Sequence, residues 1–193
     1  MVNNSEQIRE LLKFPDENSF YFLEVIKRHK ENPEMLTGQK LIRDFTIRSF
    51  EEYDELLPKI VELCEEHTAR AYLRLNLRND KNIAFAFNVA LAQILKDEQY
   101  SRLGNLYTKI IGGNPSDPNK TWVIDLDGDE AKPERCNEIA DFIRSLREDA
   151  IVAILPTLNG VHLIARPFNR AFLSRRFPSI DVHKDNPTIL YAP

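Results

Sequence analysis

Cysteine is scarce in this 193-residue chain, and the two that occur, Cys64 and Cys136, exclude a disulfide framework or a zinc site built mainly on thiolates. No apolar run approaches the roughly 18 residues that a membrane span needs. Residues 1–6 are polar and lack a basic start followed by an apolar stretch, so we expect no signal peptide. With an ordinary 42% of hydrophobic and 29% of charged residues, these absences predict a cytoplasmic globular protein.

The chain also has no excess of positive charge, because 26 basic residues face 30 acidic ones and the net charge is −4. Any contact with a polyanion must therefore come from a local basic patch. Residues 161–186 contain such a patch, whose members are Arg166, Arg170, Arg175, Arg176 and Lys184, against two acids, Asp181 and Asp185.

Several common catalytic motifs are missing from the sequence. It has no Gly-rich loop ending in Gly-Lys-Ser/Thr, which excludes a P-loop NTPase. It has neither a Gly-x-Ser-x-Gly elbow nor a Cys/His nucleophile arrangement. The chemistry must therefore be sought among acids, histidines and arginines.

The first part of the chain predicts a helical segment followed by an α/β module. Residues 1–39 are assigned to the N-terminal helical segment, because apolar residues recur through 6–31 on either side of a break near Pro15. Residues 40–119 are assigned to the α/β module. Its expected elements are a strand at 40–47, a helix capped by Ser49 and running to 67, a strand at 70–78, an apolar helix at 83–95 buried on most sides, and a more polar helix at 101–111.

Residues 112–118, rich in Gly and Pro, are the strongest break and mark the predicted internal boundary. Residues 120–193 then show the order β-α-β-β-α-β of the split ferredoxin-like arrangement, in which the first and third strands are central neighbours. The expected elements are a strand at 122–126, a helix at 133–147, a strand at 151–155, a tight turn at Asn159-Gly160, a strand at 161–166, a short helix at 170–176, and a last strand or strand pair at 180–182 and 188–191. The predicted fold class is α/β (α+β), with the two parts forming one compact domain overall.

Two acids stand at the end of the first of these strands. Asp125 and Asp127 point to one face because side chains alternate along a strand, while Ile124 and Leu126 point to the other. Paired carboxylates repel each other unless a cation lies between them, and their hard oxygens suit Mg²⁺ or Mn²⁺. A strand end that frays into an acidic turn is the alternative.

His162 is expected on the strand beside these acids, on the open face of the sheet. An imidazole next to a metal-bound anion suits a phosphate ligand, whereas a hydrogen-bonded structural histidine is the alternative. A third carboxylate could come from Asp181 or Asp185 near the last strand. Arg74 and Arg78 share the polar face of the strand at 70–78 and would bind either acids or phosphates.

Asp125-Leu126-Asp127, the hairpin with Thr157 and Gly160-Val161-His162, and the hydrophobic-Asp pair Ile180-Asp181 resemble, in order, the three motifs of the archaeo-eukaryotic primase superfamily. The small primase-polymerase (PrimPol-like) members are the most similar in appearance. In this chain Thr157 stands five residues before His162, and Gly160 occupies the usual position of the small hydroxyl residue.

The resemblance implies an RRM-like β-α-β-β-α-β catalytic palm and a metal-dependent nucleotidyltransferase, a DNA-directed primase or polymerase of DNA replication. It implies Mg²⁺ or Mn²⁺ on the catalytic acids Asp125, Asp127 and Asp181, and a nucleoside triphosphate held by His162 with Thr157 or Arg166. The other expected partners are a single-stranded or primed DNA template and a helicase or other replication protein encoded separately. The arginines expected at the template are Arg74, Arg78, Arg170, Arg175 and Arg176.

Two other functions compete with this one. Residues 123–128 also resemble the first motif of haloacid-dehalogenase-type phosphatases, although Asp129 stands where that motif normally continues with Thr. The non-catalytic alternative is an RRM-like replication-accessory or nucleic-acid-binding module.

Overall fold

Two antiparallel β-sheets form the framework of the protein, in a computed structural model that describes residues 1–36 and 38–193. The described residues also contain six α-helices, so the fold is of the mixed α+β class. Among them, no helix is both long enough and apolar enough to span a bilayer.

The first sheet combines strands from both ends of the sequence. Its members are β1 (Val2–Asn3), β2 (Ser19–Arg28), β3 (Gln39–Ile47), β4 (Arg70–Asn79) and β9 (Thr188–Ala192). They lie in the order β1-β9-β4-β2-β3. The strands predicted at 40–47 and 70–78 are confirmed, and β9 lies inside the sheet between β1 and β4.

The predicted helix over residues 6–31 is wrong beyond its first part. Helix α1 covers only Ser5–Leu11, and the following apolar stretch is the strand β2. Both faces of β2 are buried: Tyr21 and Leu23 lie in the main core, while Phe20 and Phe22 pack on the opposite side. A strand without a polar face shows no alternation, so its apolar run was indistinguishable from that of a buried helix.

Helix α2 (Phe50–His67) covers one face of the first sheet, and its start follows the predicted capping signature. The Glu52 N–H donates to Ser49 Oγ at 3.1 Å. The helix continues through Pro58. The other face carries α3 (Asp80–Lys96), a 3₁₀ turn over Tyr100–Asn105, and α4 (Leu106–Gly113), which together replace the helix predicted at 101–111.

Helix α3 is much less buried than its composition predicted. Ile83 and Ile94 are buried, but Phe85 is 73% exposed and Val89 is 55% exposed. The prediction of a helix buried on most sides is therefore wrong. Its apolar residues surround the helix, and the sheet covers only a narrow strip of it.

The second sheet contains β5 (Trp122–Asp127), β6 (Ile151–Pro156), β7 (Gly160–Ala165) and β8 (Val182–His183), in the order β6-β7-β5-β8. Helices α5 (Pro133–Leu146) and α6 (Arg170–Arg176) pack on one face of it. Their apolar residues form one cluster with Ile124, Leu126 and Leu163. The strand pair predicted at 180–182 and 188–191 is divided, since β8 joins this sheet and β9 joins the first.

The two sheets share hydrophobic contacts. Val123, Leu155 and Ile164 of the second sheet belong to the same cluster as Leu73 and Leu190 of the first. This junction leaves a cavity between the helix-free face of the second sheet and the first sheet.

Candidate functional site

A cavity of about 330 Å³ lies at this junction, and its walls come from both sheets. One wall is acidic and consists of Asp125 and Asp127 on β5, with His162 on β7 and His183 on β8. The opposite wall carries Arg28 from β2, Lys30 just after it, and Arg70 and Tyr72 from β4. Residues 157–159 of the hairpin loop and residues 186–187 before β9 close the rim.

Asp125 and His162 lie directly opposite each other in the register of β5 and β7, and Asp127 lies opposite Gly160. His162 Nε2 is 3.4 Å from Asp125 Oδ1. Asp125, Asp127 and His162 therefore share one face of the sheet, as the strand alternation predicted. The hydrogen bond to His162 holds the pKa of Asp125 below its ordinary value, against the opposing effect of partial burial.

Thr188 on β9 orients the imidazole of His162. The Thr188 hydroxyl is 2.8 Å from His162 Nδ1, and both residues are buried. If Nε2 carries the proton that faces Asp125, Nδ1 accepts a hydrogen bond from the hydroxyl. The role of Thr188 was not predicted from the sequence, because a threonine in an apolar strand does not indicate which residue it contacts in the other sheet.

Gly160 explains how β5 and β7 approach each other so closely. A Cβ at this position would lie 2.0 Å from the Leu126 carbonyl oxygen and 2.8 Å from Asp127 Oδ1. The hairpin loop is the three-residue segment 157–159, in which the Gly160 N–H donates to Thr157 Oγ1 at 3.0 Å. The hydroxyl of Thr157 thus closes the turn, although the residue also lines the cavity.

Neither candidate for the third acid joins the acidic pair. Asp181 is exposed just before β8 and does not line the cavity. Asp185 is held by Arg78 Nη2 at 2.6 Å and by Asn76 Nδ2 at 2.9 Å. Within residues 1–36 and 38–193, no group of three or more His, Cys, Asp or Glu side chains is placed to hold a metal ion. The prediction of three acids around one centre is therefore reduced to Asp125 and Asp127.

Arg78 and Arg74 both bind groups within this fold. Arg78 has no exposed surface, and besides Asp185 it donates to the carbonyls of Ile111 at 2.9 Å and Gly112 at 3.1 Å. Arg74 donates to the Asp185 carbonyl at 2.7 Å. The prediction that Arg78 contacts nucleic acid is wrong, because its buried guanidinium group cannot reach a phosphate.

The remaining predicted arginines lie away from the cavity. Arg166 follows the opposite end of β7 and is paired with Asp149. Arg170, Arg175 and Arg176 are exposed on α6, which packs on the face of the second sheet that points away from the cavity. A role for Arg166 beside His162 is therefore wrong, whereas the α6 arginines keep free surface for a polyanion.

Comparison with protein-family models, curated proteins and solved structures finds no match to this chain.

Proposed function

We propose that the protein is a metal-dependent nucleotidyltransferase of the primase-polymerase type, which joins a nucleoside triphosphate to a chain on a DNA template. One observation carries the proposal: two carboxylates and an oriented imidazole share a cavity with a wall of guanidinium and ammonium groups. Phosphoryl transfer needs an acidic site and a cationic wall together, since its catalysis consists mainly of positioning phosphates and neutralising their charge.

The strand order of the second sheet supports an RRM-like palm. In the order β6-β7-β5-β8, the first and third strands of the β-α-β-β-α-β unit are central neighbours, and every pairing is antiparallel. Helices α5 and α6 cover one face and leave the other to the cavity. The acids of β5 thus stand where a substrate could reach them.

Asp125 and Asp127 are suitable ligands for one divalent cation. Mg²⁺ is commonly held by one or two carboxylates together with waters and substrate phosphates, so two carboxylates are enough protein ligands for one ion. The pKa of Asp125 lies below its ordinary value because of the contact with His162, so partial burial does not compromise its ionisation. When bound, the cation would offset negative charge on the substrate's phosphates.

His162 is suited to contact a phosphate oxygen beside the acids. Thr188 fixes the ring at Nδ1, and Nε2 faces Asp125 at 3.4 Å, so a phosphate oxygen would accept the Nε2–H in place of, or together with, the Asp125 carboxylate. A ring held in one orientation loses little freedom when a ligand binds. We assign it the role of positioning the triphosphate rather than that of a metal ligand.

The test is extension of labelled deoxynucleotides or ribonucleotides on primed and unprimed templates, with Mg²⁺ or Mn²⁺ and with a chelator. Asp125→Asn and Asp127→Asn should each abolish metal-dependent extension and leave the circular dichroism spectrum unchanged. The matched control is Asp129→Asn, since Asp129 belongs to the same acidic run but is exposed and does not line the cavity. Extension that survives in both cavity variants would overturn the mechanism.

A non-catalytic, RRM-like nucleotide-binding module is the second candidate. It is favoured by the finding that the described part of the chain places no third acid beside Asp125 and Asp127. Triphosphate binding that depends on Asp125, without extension under any metal or template condition, would establish it. Phosphate release from a simple aryl phosphate would instead favour the phosphatase alternative.

A further inference from the structure

We propose that Arg28, Lys30 and Arg70 form a phosphate subsite on the first-sheet wall of the cavity, and that its ligand is the polyphosphate chain of a free nucleotide. The inference rests on the proposed function in one respect only, because it gives the phosphates of that substrate a place to bind. Anion binding at this wall does not require that the protein catalyse anything.

Arg70 provides the first argument. Its side chain is only 8% exposed, and it lines the cavity. Nη2 is bonded to Glu31, and Nη1 lies 3.4 Å from the Tyr72 hydroxyl. Its Nε is buried and has no hydrogen-bond partner among the described residues. Glu31 Oε2 of the same ion pair is also buried without a partner, so it is the positive charge of Arg70 at the cavity wall, rather than this Nε, that would attract an anion.

Tyr72 provides the second argument, because two cationic groups converge on its hydroxyl. Arg28 Nη1 donates to this oxygen at 3.2 Å, and Arg70 Nη1 donates to it at 3.4 Å. Lys30 adds a third positive charge to the same wall, and Glu31 offsets one of them. Planar guanidinium groups held side by side suit the oxygens of a phosphate.

The division of charge in the cavity separates this subsite from the metal site. Asp125 and Asp127 repel an anion unless a cation lies between, whereas the wall of Arg28, Lys30 and Arg70 attracts it directly. Polyphosphate binding in the presence of a chelator therefore reports on the cationic wall alone. Binding that appears only with Mg²⁺ reports on the acids.

The experiment measures binding of inorganic tripolyphosphate by titration calorimetry in excess chelator. Arg28→Gln and Lys30→Gln are used rather than an Arg70 variant, because loss of Arg70 would leave the partly buried Glu31 without its ion-pair partner. We expect each to weaken binding about tenfold, the usual effect of losing one charge-assisted hydrogen bond. Lys27→Gln is the matched control, since Lys27 is the neighbour of Arg28 on β2 but does not line the cavity.

Two outcomes would overturn the subsite even if the extension assay succeeds: no tripolyphosphate binding without metal, or equal losses in Arg28→Gln and Lys27→Gln. Conversely, the subsite stands if binding follows Arg28 and Lys30 while extension is absent. A second arm compares ATP with 5′-phosphorylated and unphosphorylated single-stranded DNA. Binding that favours the phosphorylated DNA end over ATP and tripolyphosphate would overturn the assignment to a free nucleotide.

Discussion

Each acid of the candidate site lies opposite a particular residue of the neighbouring strand β7. Asp125 faces His162, and Asp127 faces Gly160. The alternation of a strand predicted the shared face, because it is a local property of the sequence. The role of Thr188 and the cationic wall with Arg28 were not predictable, since they depend on how the first sheet packs against the second.

Gly160→Ala should destabilise the protein by at least about 1–3 kcal/mol, the usual range for overpacking. The added methyl group would collide with the backbone carbonyl of Leu126, which cannot move without breaking the β5–β7 pairing. Urea unfolding measures the change. Gly104→Ala is the control, because nothing lies within 4 Å of a Cβ there, and an equal loss in both variants would contradict the expectation.

His162→Phe should raise the pKa of Asp125 toward its ordinary value, because the hydrogen bond from the imidazole is the largest cause of the depression. A lowered folded-state pKa adds stability above the unfolded pKa of about 4, and this stability is lost as the pH falls through the folded value. The wild type should therefore lose more stability on acidification than the variant does.

Carboxyl carbon NMR titration of Asp125 in both proteins measures this shift directly. His183 also lies near enough to lower the pKa of Asp125, so His183→Phe should produce a smaller change. Identical titration curves in the wild type and in His162→Phe would show that the two side chains are not coupled.

At the scale of elements, the sequence predicted strands and helices best where one face is polar. Helices α2 and α5 bury one face and expose the other. Strand β4 is largely buried on both faces, but its apolar residues alternate with polar ones that are hydrogen-bonded or ion-paired, so the periodicity of all three elements is visible. The errors fall on apolar segments: β2, buried on both faces, was predicted as a helix, whereas α3 is the predicted helix but is largely exposed instead of buried on most sides. In these cases the three-dimensional neighbours decide burial, and composition alone does not indicate it.

Arg78 joins three elements that are remote in sequence, namely β4, the end of α4 and the segment before β9. It binds Asp185, Ile111 and Gly112 from a position without solvent exposure. Arg78→Met should lower the free energy of unfolding by about 3–5 kcal/mol, because Asp185 would lose its principal partner in a partly buried site.

The comparison for this prediction is Arg166→Gln, which removes a guanidinium from an exposed pair with Asp149. Its effect should stay below about 1 kcal/mol. Denaturant unfolding of both variants measures the two changes in the free energy of unfolding. Similar changes would show that the buried Arg78–Asp185 pair contributes no more than a surface pair.

At the scale of the whole molecule, the two sheets should unfold together. The predicted boundary near 112–118 lies between the helices on the first sheet and strand β5, but β9 returns to the first sheet. Val123 and Ile164 also lie in the hydrophobic cluster of the first sheet. The common hydrophobic cluster, together with the strand that the second part of the chain contributes to the first sheet, couples the stability of both parts.

Thermal or urea unfolding should therefore show a single transition. The fluorescence of Trp122, the one tryptophan of the sequence, reports on the second sheet, while far-ultraviolet circular dichroism reports on both. We expect coincident midpoints in the wild type and in Ile164→Ala, with the variant less stable by about 2–5 kcal/mol. Separate midpoints would show that the two sheets fold independently.

The position of β9 has a consequence for synthesis. Val2 pairs with Ala192, and Ala71 pairs with Tyr191, so the first sheet is complete only after β9, which follows the other described strands in the sequence, has been synthesised. Until then, the edge of β4 that receives β9 offers unpaired amides to any extended peptide nearby. The nascent chain is therefore exposed to mispairing from the synthesis of β4 until that of β9, and a chaperone that shields the edge of β4 would raise the yield of folded protein.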